Sequence, residues 1–325
     1  MNSQQPAAPT GQNMTFVRPL GFYIGGFQSL PYSHYYFIFL GVVYIATLIA
    51  NFLLMVIILT SECLHTPKYI AIFSLSVVDV SYSTAIIPRS VDAFLFNSKF
   101  IFYETCLVQM FFVHYFCAME SLSLTILAYE RLISICAPFQ SSIINTNSRM
   151  ISIISITWFV IFLIILVMVS LITRLSFCRS LVIKSYFCDH GPVFSLACND
   201  FTPNWMVAYF CIVSFFCLPL TFIIISYICI IFCVLKIRSL EGRQKAFKTC
   251  TTHLTLVAIF YIPLLVIYIT AWVRSTVDAD TRILNTSLAA TIPPLLNPII
   301  YTLKTEEILV QVKATFRKKT LQFLK

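Results

Sequence analysis

Charged residues are scarce in this chain: they make up 11% of its 325 residues, whereas a soluble domain carries roughly 25%. Glycine is also rare, with 7 residues, and no ten-residue segments of alternating polarity are visible, which excludes a membrane β-barrel. Hydrophobic residues account for 59% of the chain, and the mean hydropathy is +0.87. These shortages exclude a soluble globular protein and indicate a membrane protein.

Seven long apolar stretches carry the hydrophobic residues. Each reaches the ~20 residues that a helix needs to cross a hydrocarbon core of ~30 Å. We therefore predict an all-α membrane protein, a bundle of seven transmembrane helices. The stretches are Tyr35–Thr60, Tyr69–Phe96, Leu107–Cys136, Ile151–Thr173, Trp205–Leu235, Phe247–Val273 and Ile283–Leu303.

The remaining segments are too short for a further domain. We expect an outer tail over residues 1–34, the helix bundle over 35–303, and an inner C-terminal region over 304–325. In that last region, Thr305–Phe316 alternates apolar and basic residues at helical spacing. This pattern predicts a short amphipathic helix on the inner membrane surface.

Basic residues predict the orientation. Residues 1–33 are polar and turn-rich and do not read as a cleavable signal peptide, so we expect an N-terminus outside and a first helix that acts as the anchor. Fourteen of the 22 lysines and arginines then fall on the cytoplasmic side and eight outside, as the positive-inside rule requires. The net charge of +9 therefore indicates anionic membrane lipid as a partner and not nucleic acid. We expect a multi-pass protein of the plasma membrane.

Short motifs lie at the ends of the predicted helices. The third stretch ends in LAYERLISICAPF, from Leu127 to Phe139, and a Glu-Arg pair beside a membrane boundary is costly unless it has a function. The other motifs are LHTPKY (64–69), YFCDH (186–190), LACND (196–200), KAFKTCTTH (245–253) and PPLLNPIIY (293–301). In type and order they resemble the odorant receptors, a branch of the rhodopsin-like G-protein-coupled receptors, whose signatures read MAYDRYVAICxPL, LHTPMY and KAFSTCxSH.

Some positions depart from the family pattern. Leu132 stands where an aromatic residue usually follows the Asp/Glu-Arg pair, and Ala50 replaces the glycine before Asn51. Pro263 follows Phe260-Tyr261-Ile262 where odorant receptors commonly have glycine. We therefore expect a divergent branch of the family, of a fish type.

The twelve cysteines divide by side of the membrane. Cys106, Cys178, Cys188 and Cys198 fall outside, where disulfides form, and sequence alone does not choose among their three pairings. The resemblance implies Cys106–Cys188, which ties the third helix to the second outer loop, and Cys178–Cys198 within that loop. We expect the other eight cysteines to be packing residues.

Counting along the helices predicts a polar layer inside the bundle. Glu120 lies 11 residues before Arg131, roughly 16 Å toward the outside on the same face. Asp79 lies roughly 15 Å deep in the second helix, and Asn51 and Asn297 lie at comparable depth. An acid facing lipid would be costly, so these side chains are expected to face inward. The resemblance implies that Asp79 and Glu120 hold a sodium ion or protons; the alternative is a hydrogen-bonded network without an ion. No other cofactor or metal is expected.

The resemblance implies a switch at the cytoplasmic end. Glu130 and Arg131 would form a resting ion pair that breaks when the sixth helix swings outward, and Arg131 would then meet the G protein. Tyrosines on the fifth and seventh helices would stabilise the open form. The predicted switch residues are Glu130, Arg131, Tyr227, Asn297, Pro298 and Tyr301. The alternative is that Arg131 only reaches toward the lipid headgroups.

A ligand site is predicted nearer the outside. Met110, His114, Cys117 and Ser121 share one face of the third helix at helical spacing. The resemblance adds residues from the fifth, sixth and seventh helices, and the mainly apolar lining is typical of small-molecule pockets. The predicted ligand set is Met110, His114, Cys117, Cys211, Ile212, Phe215, Tyr261, Leu264, Leu265, Tyr268 and Ser287. A packing role is the alternative for each of them.

Together these features predict an odorant receptor in the cilia of olfactory sensory neurons. It would couple a neutral or weakly polar small molecule to a stimulatory heterotrimeric G protein and cyclic AMP. Arg89, Asp92 and Arg274 near the outer rim leave a zwitterion such as an amino acid as the alternative ligand. A lipid or peptide receptor with the same bundle remains an alternative function. A seven-helix transporter or channel is a further one, although it would need a continuous polar path.

Other functions lack their residues. Val113 stands where receptors for biogenic amines carry an aspartate, and no lysine precedes Lys304 in the seventh helix to bind retinal. No P-loop, HExxH motif or nucleophile with a base at recognisable spacing is present, so no enzymatic activity is expected.

The orientation predicts a glycan on Asn13, which begins the sequon Asn13-Met14-Thr15 in the outer tail. Endoglycosidase treatment of the chain expressed in cells is expected to increase its gel mobility, and Asn13→Gln is expected to remove that shift. An N-terminal epitope that antibodies reach only after permeabilisation would overturn the orientation.

Overall fold

The computed structural model describes residues 17–27, 32–178, 180–273 and 279–313, without the side chains of residues 245, 267–273 and 279. Asn13 lies outside the described residues, and so does the side chain of Tyr268. In the described part, seven helices are long and apolar enough to cross a membrane, which confirms the predicted fold class. They are α1 (Ser33–Thr60), α2 (Pro67–Leu95), α3 (Tyr103–Cys136), α4 (Asn147–Ser170), α5 (Thr202–Leu235), α6 (Leu240–Val273) and α7 (Ala279–Lys304). An eighth helix, α8, covers residues 306–313.

Local chemistry decides where the helices begin. Pro67 starts α2, where the missing N–H of proline costs nothing, and Thr146 caps α4 by accepting a hydrogen bond from the backbone N–H of Arg149. The apolar stretches predicted several starts too late. The largest difference is in α6, which begins at Leu240 and not at Phe247, because its first turns carry charged residues and lie beyond the apolar stretch.

The fifth helix is not uniform. Val213–Cys217 forms a π-helical turn between the α-helical segments Thr202–Ile212 and Leu218–Leu235. Such a turn accommodates an extra residue, changes the face that the following residues present, and occurs frequently at functional sites. It contains Phe215 and follows Cys211 and Ile212, which are three predicted ligand residues. The hydrophobic pattern of the stretch gave no indication of this turn.

Helix α3 is the centre of the bundle. The end of the bundle near Gly21–Ile24 is called the outer end, and the end near Arg131 is called the inner end. It packs against α2, α4, α5 and α6, and it contributes buried residues to both the inner and the outer hydrophobic clusters. Helix α4 is at the other extreme, because most of its side chains are exposed on the outside of the bundle. The long buried face of α3 therefore links the outer end of the bundle to the inner end.

A small sheet covers the outer ends of the helices. Strand β1 (Gly21–Ile24) lies between β2 (Phe100–Phe102), which is antiparallel to it, and β3 (Val182–Ile183), which is parallel. Gly21 is required by close approach, because a Cβ there would lie 2.2 Å from the carbonyl oxygen of Ile101. The sequence predicted only a polar, turn-rich tail here. In the structure, part of that tail is a strand fixed to two distant segments.

Three cysteine pairs lie within disulfide contact among the described residues. The structure joins Cys106 to Cys188 and Cys178 to Cys198, the pairs that the resemblance implied. It also joins Cys136 to Cys233, although both had been expected to be packing residues. That expectation is wrong for these two cysteines, because the ends of α3 and α5 bring their Cα atoms to 5.4 Å, within the range that a disulfide spans.

The bridge between α3 and the outer loop predicts a folding defect. Cys188→Ala is expected to abolish delivery of the chain to the cell surface, because loss of a native disulfide typically costs ~2–5 kcal/mol. Cys63→Ala, which changes an exposed free cysteine, is the control and is expected to leave surface levels unchanged. Surface immunofluorescence measures delivery to the cell surface, and peptide mapping identifies the disulfide pairs. A Cys106–Cys178 or Cys106–Cys198 peptide would refute the pairing.

Candidate functional site

Helices α3 and α6 meet at the level of the predicted ligand residues. Ser121 of α3 and Tyr261 of α6 share a hydrogen bond of 2.7 Å between their hydroxyl oxygens, and both side chains are buried. The Tyr261 ring also contacts the Phe216 ring at 5.2 Å between centroids. Tyr261 therefore forms the inner floor of the region between α3, α5 and α6.

The other predicted ligand residues divide between two hydrophobic clusters. Met110 is buried in the outer cluster, and Cys211 and Phe215 pack against it. Leu264 and Leu265 pack against the inner cluster. The predicted ligand residues therefore do not all line one pocket in the described part of the structure. Ile212 is half-buried on α5 and Cys117 packs against a third cluster.

Ser287 has a partner that the sequence did not reveal. Its hydroxyl donates to the carbonyl of Leu284, and it lies 2.5 Å from the hydroxyl of Tyr36 on α1. Because the serine proton is already used, Tyr36 is the donor in this second bond. Tyr36 therefore joins the predicted ligand region from α1.

Two large cavities lie elsewhere in the described part of the bundle. One of about 560 Å³ runs between α2 and α3, and one of about 580 Å³ is bounded by α2, α3 and α4. Exposed side chains such as Phe112 and Phe159 line them, so both open toward the outside of the bundle. None of the predicted ligand residues lines either cavity.

A polar corner lies above the predicted ligand residues, where the second outer loop meets α3. The Nδ1 atom of His114 lies 2.9 Å from the carbonyl oxygen of Met110, and its Nε2 atom lies 3.5 Å from a carboxylate oxygen of Asp189. Both ring nitrogens thus face oxygen atoms that can accept hydrogen bonds. The neighbouring His190 ring lies 6.2 Å from the His114 ring, between centroids.

The loop residues of this corner have shifted pKa values. Burial raises the pKa of Asp189, but its hydrogen bond to His114 and the positive charges of His114 and Arg282 outweigh burial and hold the pKa below its usual range. Burial, with repulsion from His114, lowers the pKa of His190 to about 4. Asp189 is therefore a carboxylate and His190 is neutral at physiological pH. The sequence gave one signal for this corner, namely the position of Asp189 directly after the bridging Cys188.

The charged residues at the outer rim already have partners. Arg89 forms an ion pair with Asp92 and also donates a hydrogen bond to the carbonyl of Phe100. Arg274 lies outside the described residues. The two described rim charges therefore satisfy each other.

Two of the four residues of the predicted polar layer are in contact. Asn297 of α7 donates to both carboxylate oxygens of Asp79, at 3.0 and 3.2 Å. Asn51 donates to the carbonyl of Pro294 at 3.0 Å, which ties α1 to α7. Glu120 is fully buried.

The acids of this layer are not compensated by hydrogen bonds alone. Neither carboxylate oxygen of Glu120 has a hydrogen-bond partner among the described residues, although Asn297 is near enough to act on its charge. The side-chain oxygen of Asn51 is also buried without a described partner. Two ionised carboxylates would be very costly here, so a proton or a cation must compensate them. Carboxylate and amide oxygens are suitable ligands for a hard cation such as Na⁺.

The Glu-Arg pair at the inner end of α3 is closed. The Nε atom of Arg131 lies 3.3 Å from Glu130, and both side chains are buried. Ser134 donates a hydrogen bond of 2.7 Å to the second oxygen of Glu130. Tyr301 lies nearby with a buried hydroxyl that has no described partner. Pro298 lies within α7, one residue after Asn297.

His253 connects α6 to α3 and α5, about two helical turns from Arg131 on α3. The sequence did not indicate this role. Its Nε2 atom lies 3.0 Å from the carbonyl oxygen of Leu124 on α3, and its Nδ1 atom lies 2.9 Å from the hydroxyl of Tyr227 on α5. A neutral histidine satisfies both contacts, because Nε2–H donates to the carbonyl and Nδ1 accepts from the tyrosine. The only sequence signal was its place at the end of KAFKTCTTH.

Salt links tie α8 to the bundle. Lys248 of α6 lies 2.8 Å from Glu306, and Lys68 of α2 lies 3.8 Å from Glu307. Both lysines depart from the family motifs, which have serine and methionine at these positions. The two pairs and Arg131 line a cavity of about 100 Å³ that opens at the inner end of the bundle. The first pair links the inner end of α6 to α8, and the second links α2 to α8.

The chain is similar to known proteins over almost its whole length. A sequence profile of the olfactory receptors matches residues 40–319. Human olfactory receptor 5B12 is 36% identical over 276 residues, which are 85% of this chain and 86% of that protein. Human olfactory receptor 2AT4 is 32% identical over 88% of this chain and 90% of that protein. Mouse olfactory receptor 51E2 is 33% identical over 91% of this chain and 93% of that protein.

The resemblance read from the motifs is confirmed by these matches. The three relatives are human and mouse proteins and give no support to the expected fish-type branch. The seven helices and the family together indicate a multi-pass protein of the plasma membrane. The chain belongs to the olfactory receptor family, whose members are G-protein-coupled receptors and not enzymes.

Proposed function

We propose that this receptor binds a small-molecule odorant in the outer half of the bundle and activates a stimulatory heterotrimeric G protein, which raises cyclic AMP. One observation carries the proposal: α6 is bonded to α3 at two neighbouring levels. Tyr261 bonds Ser121 at the predicted ligand level, and His253 bonds the Leu124 carbonyl, three residues further in. A ligand that displaces Tyr261 acts on the same helix pair that is closed at the inner end, which couples binding to opening.

The contacts of the pocket favour a neutral or weakly polar odorant. Met110, Cys117 and Phe215 offer apolar surface, and an unpaired ligand charge among them would be costly. The polar corner of His114 and Asp189 offers one hydrogen-bonding site at the outer end. An amino acid ligand is less favoured, because Arg89 and Asp92, which would bind it, already pair with each other.

The proposed switch opens the inner end of the bundle. Outward movement of α6 removes His253 from between α3 and α5 and frees Tyr227. Tyr227 and Tyr301, whose hydroxyl has no described partner here, then support Arg131 as it leaves Glu130 and meets the G protein. Arg131 acts in this scheme on the partner protein and not on the odorant.

The polar layer would bias this equilibrium toward the resting state. A proton shared by Asp79 and Glu120, or a sodium ion held by their oxygens and that of Asn51, would offset the buried negative charge. Support comes from the buried, unpartnered oxygens of Glu120. We also propose that the N-terminus lies outside, that α8 contacts lipid on the inner surface, and that the receptor is in olfactory cilia.

The ligand site predicts an effect of Leu264. With an activating odorant found by screening alcohols, aldehydes, acids, amino acids, lipids and peptides with a cyclic AMP reporter, Leu264→Ala is expected to raise the half-maximal concentration about tenfold. Leu264 is half-buried, and because full burial of a leucine side chain contributes about 1.5–3 kcal/mol, we expect a loss at the lower end, where about 1.4 kcal/mol corresponds to a factor of ten. Ile262→Ala, two residues away and exposed on the outside of the bundle, is the control and is expected to change nothing.

Two results would contradict this reading. Activation only by charged molecules, with Leu264→Ala equal to Ile262→Ala, would refute the apolar pocket. A ligand-gated current that persists without G protein would favour a channel.

The switch predicts a separation of folding from signalling. Arg131→Ala is expected to reach the cell surface but to lose the cyclic AMP response, because the residue acts on the G protein. Ser134→Ala, one turn away, removes only one hydrogen bond to Glu130 and is the control, with most of the response retained. Normal signalling by Arg131→Ala at matched surface levels would contradict the assigned role.

A further inference from the structure

The unexpected cysteine pair lies at the inner ends of two helices. Cys136 is the last residue of α3, and Cys233 lies in the last turn of α5. Their sulfur atoms are in bonding contact, and their Cα atoms are 5.4 Å apart, within the range of disulfides. Both side chains are half-buried. A small oxidant therefore has access to the pair.

The compartment decides the usual state of this pair. In the proposed orientation both cysteines face the cytosol, where glutathione and thioredoxin keep thiols reduced. The outer pairs Cys106–Cys188 and Cys178–Cys198 lie in oxidising surroundings and stay closed. Cys136 and Cys233 are therefore a dithiol in the resting cell, preorganised to form a disulfide when an oxidant arrives.

We propose that Cys136 and Cys233 are an oxidative modification site, at which a peroxide cross-links α3 to α5. One thiol sulfur attacks the peroxide O–O bond and becomes a sulfenic acid, and one water is released. The second thiol attacks that sulfur, the S–O bond breaks, and a second water leaves with the last proton. The balance is two thiols and one hydrogen peroxide giving one disulfide and two waters, with the sulfurs oxidised and the peroxide reduced.

The cross-link would act on the switch, and this consequence rests on the proposed function. Cys136 follows Arg131 by five residues on α3, and Cys233 follows Tyr227 by six residues on α5. The pair is in contact in the arrangement in which Tyr227 is bonded to His253 and α6 is closed. A covalent bond formed there stabilises that arrangement relative to the open one. Oxidation therefore favours the resting receptor and weakens the odorant response.

Peptide mapping tests the site without any ligand. Intact cells expressing the full chain are exposed briefly to hydrogen peroxide, free thiols are alkylated, and a peptide joining Cys136 to Cys233 is sought by mass spectrometry. We expect that peptide after peroxide and its absence from untreated cells. Cys229→Ser, which changes a free cysteine one turn before Cys233 on α5, is the matched control and keeps the cross-link. Peroxide treatment that leaves both thiols alkylated would overturn the proposal.

The cyclic AMP response tests the consequence. In cells whose cross-linked fraction has been measured, peroxide is expected to lower the response of oxidised receptor about fivefold or more at a fixed odorant dose, a common size for coupling between sites. Cys136→Ser and Cys233→Ser are each expected to remove this sensitivity at matched surface levels, whereas Cys229→Ser keeps it. An unchanged response from cross-linked receptor would overturn the action on the switch. Failure of the proposed function is distinguishable from failure of the oxidation site. If the proposed function is wrong, untreated receptor does not respond to any odorant, while peptide mapping still shows whether the cross-link forms.

Discussion

The hydrocarbon core offers no water to polar groups, and this constraint organises the whole bundle. Hydroxyls on the helices bond to the backbone one turn earlier, as Ser90 does to the carbonyl of Ile86, while also reaching the carbonyl of Tyr186 in the outer loop. An ionised carboxylate has no proton to donate, so it cannot bond to a backbone carbonyl of its own helix in this way. Asp79 and Glu120 are therefore confined to the interior, where the amide of Asn297 donates to Asp79 and, in the proposed scheme, a shared proton or cation offsets the remaining charge. The same cost explains why the polar residues of this receptor form a few layers and not a continuous path.

These layers are connected because one helix passes through all of them. Helix α3 carries His114 at the outer corner, Ser121 and Glu120 near the middle, and Arg131 at the inner end. Its partners come from different helices: a loop aspartate above, α6 at two levels, and α5 through His253. In the proposed scheme, a ligand beside Tyr261 affects the inner end by changing how α6 lies against α3.

Sequence reasoning succeeded where the signal is local and failed where it is not. Apolar runs predicted seven helices, because helix length and composition are local properties, and the expectation that Asp79 and Glu120 face inward agrees with their complete burial. Strand β1 could not be predicted, since its partners lie at Phe100–Phe102 and Val182–Ile183, far along the chain. His253 and Asp189 are single polar residues whose roles depend on a carbonyl or a ring from another element. Helix ends were missed where a helix continues into water, as α6 does at Leu240.

The contacts that link α6 to α3 and α8 have about the same free energy as the typical coupling between two sites in a protein. Hydrogen bonds between helices in a membrane contribute about 0.6 kcal/mol on average and up to about 1.7 kcal/mol. Among the described residues, two such bonds hold α6 to α3, and the exposed pair of Lys248 and Glu306 adds at most about 1 kcal/mol. Typical coupling energies between distant sites are about 1–3 kcal/mol, the same size. In the proposed scheme, these contacts are strong enough to keep the resting arrangement populated without ligand, and weak enough for apolar contacts with one odorant to reverse it.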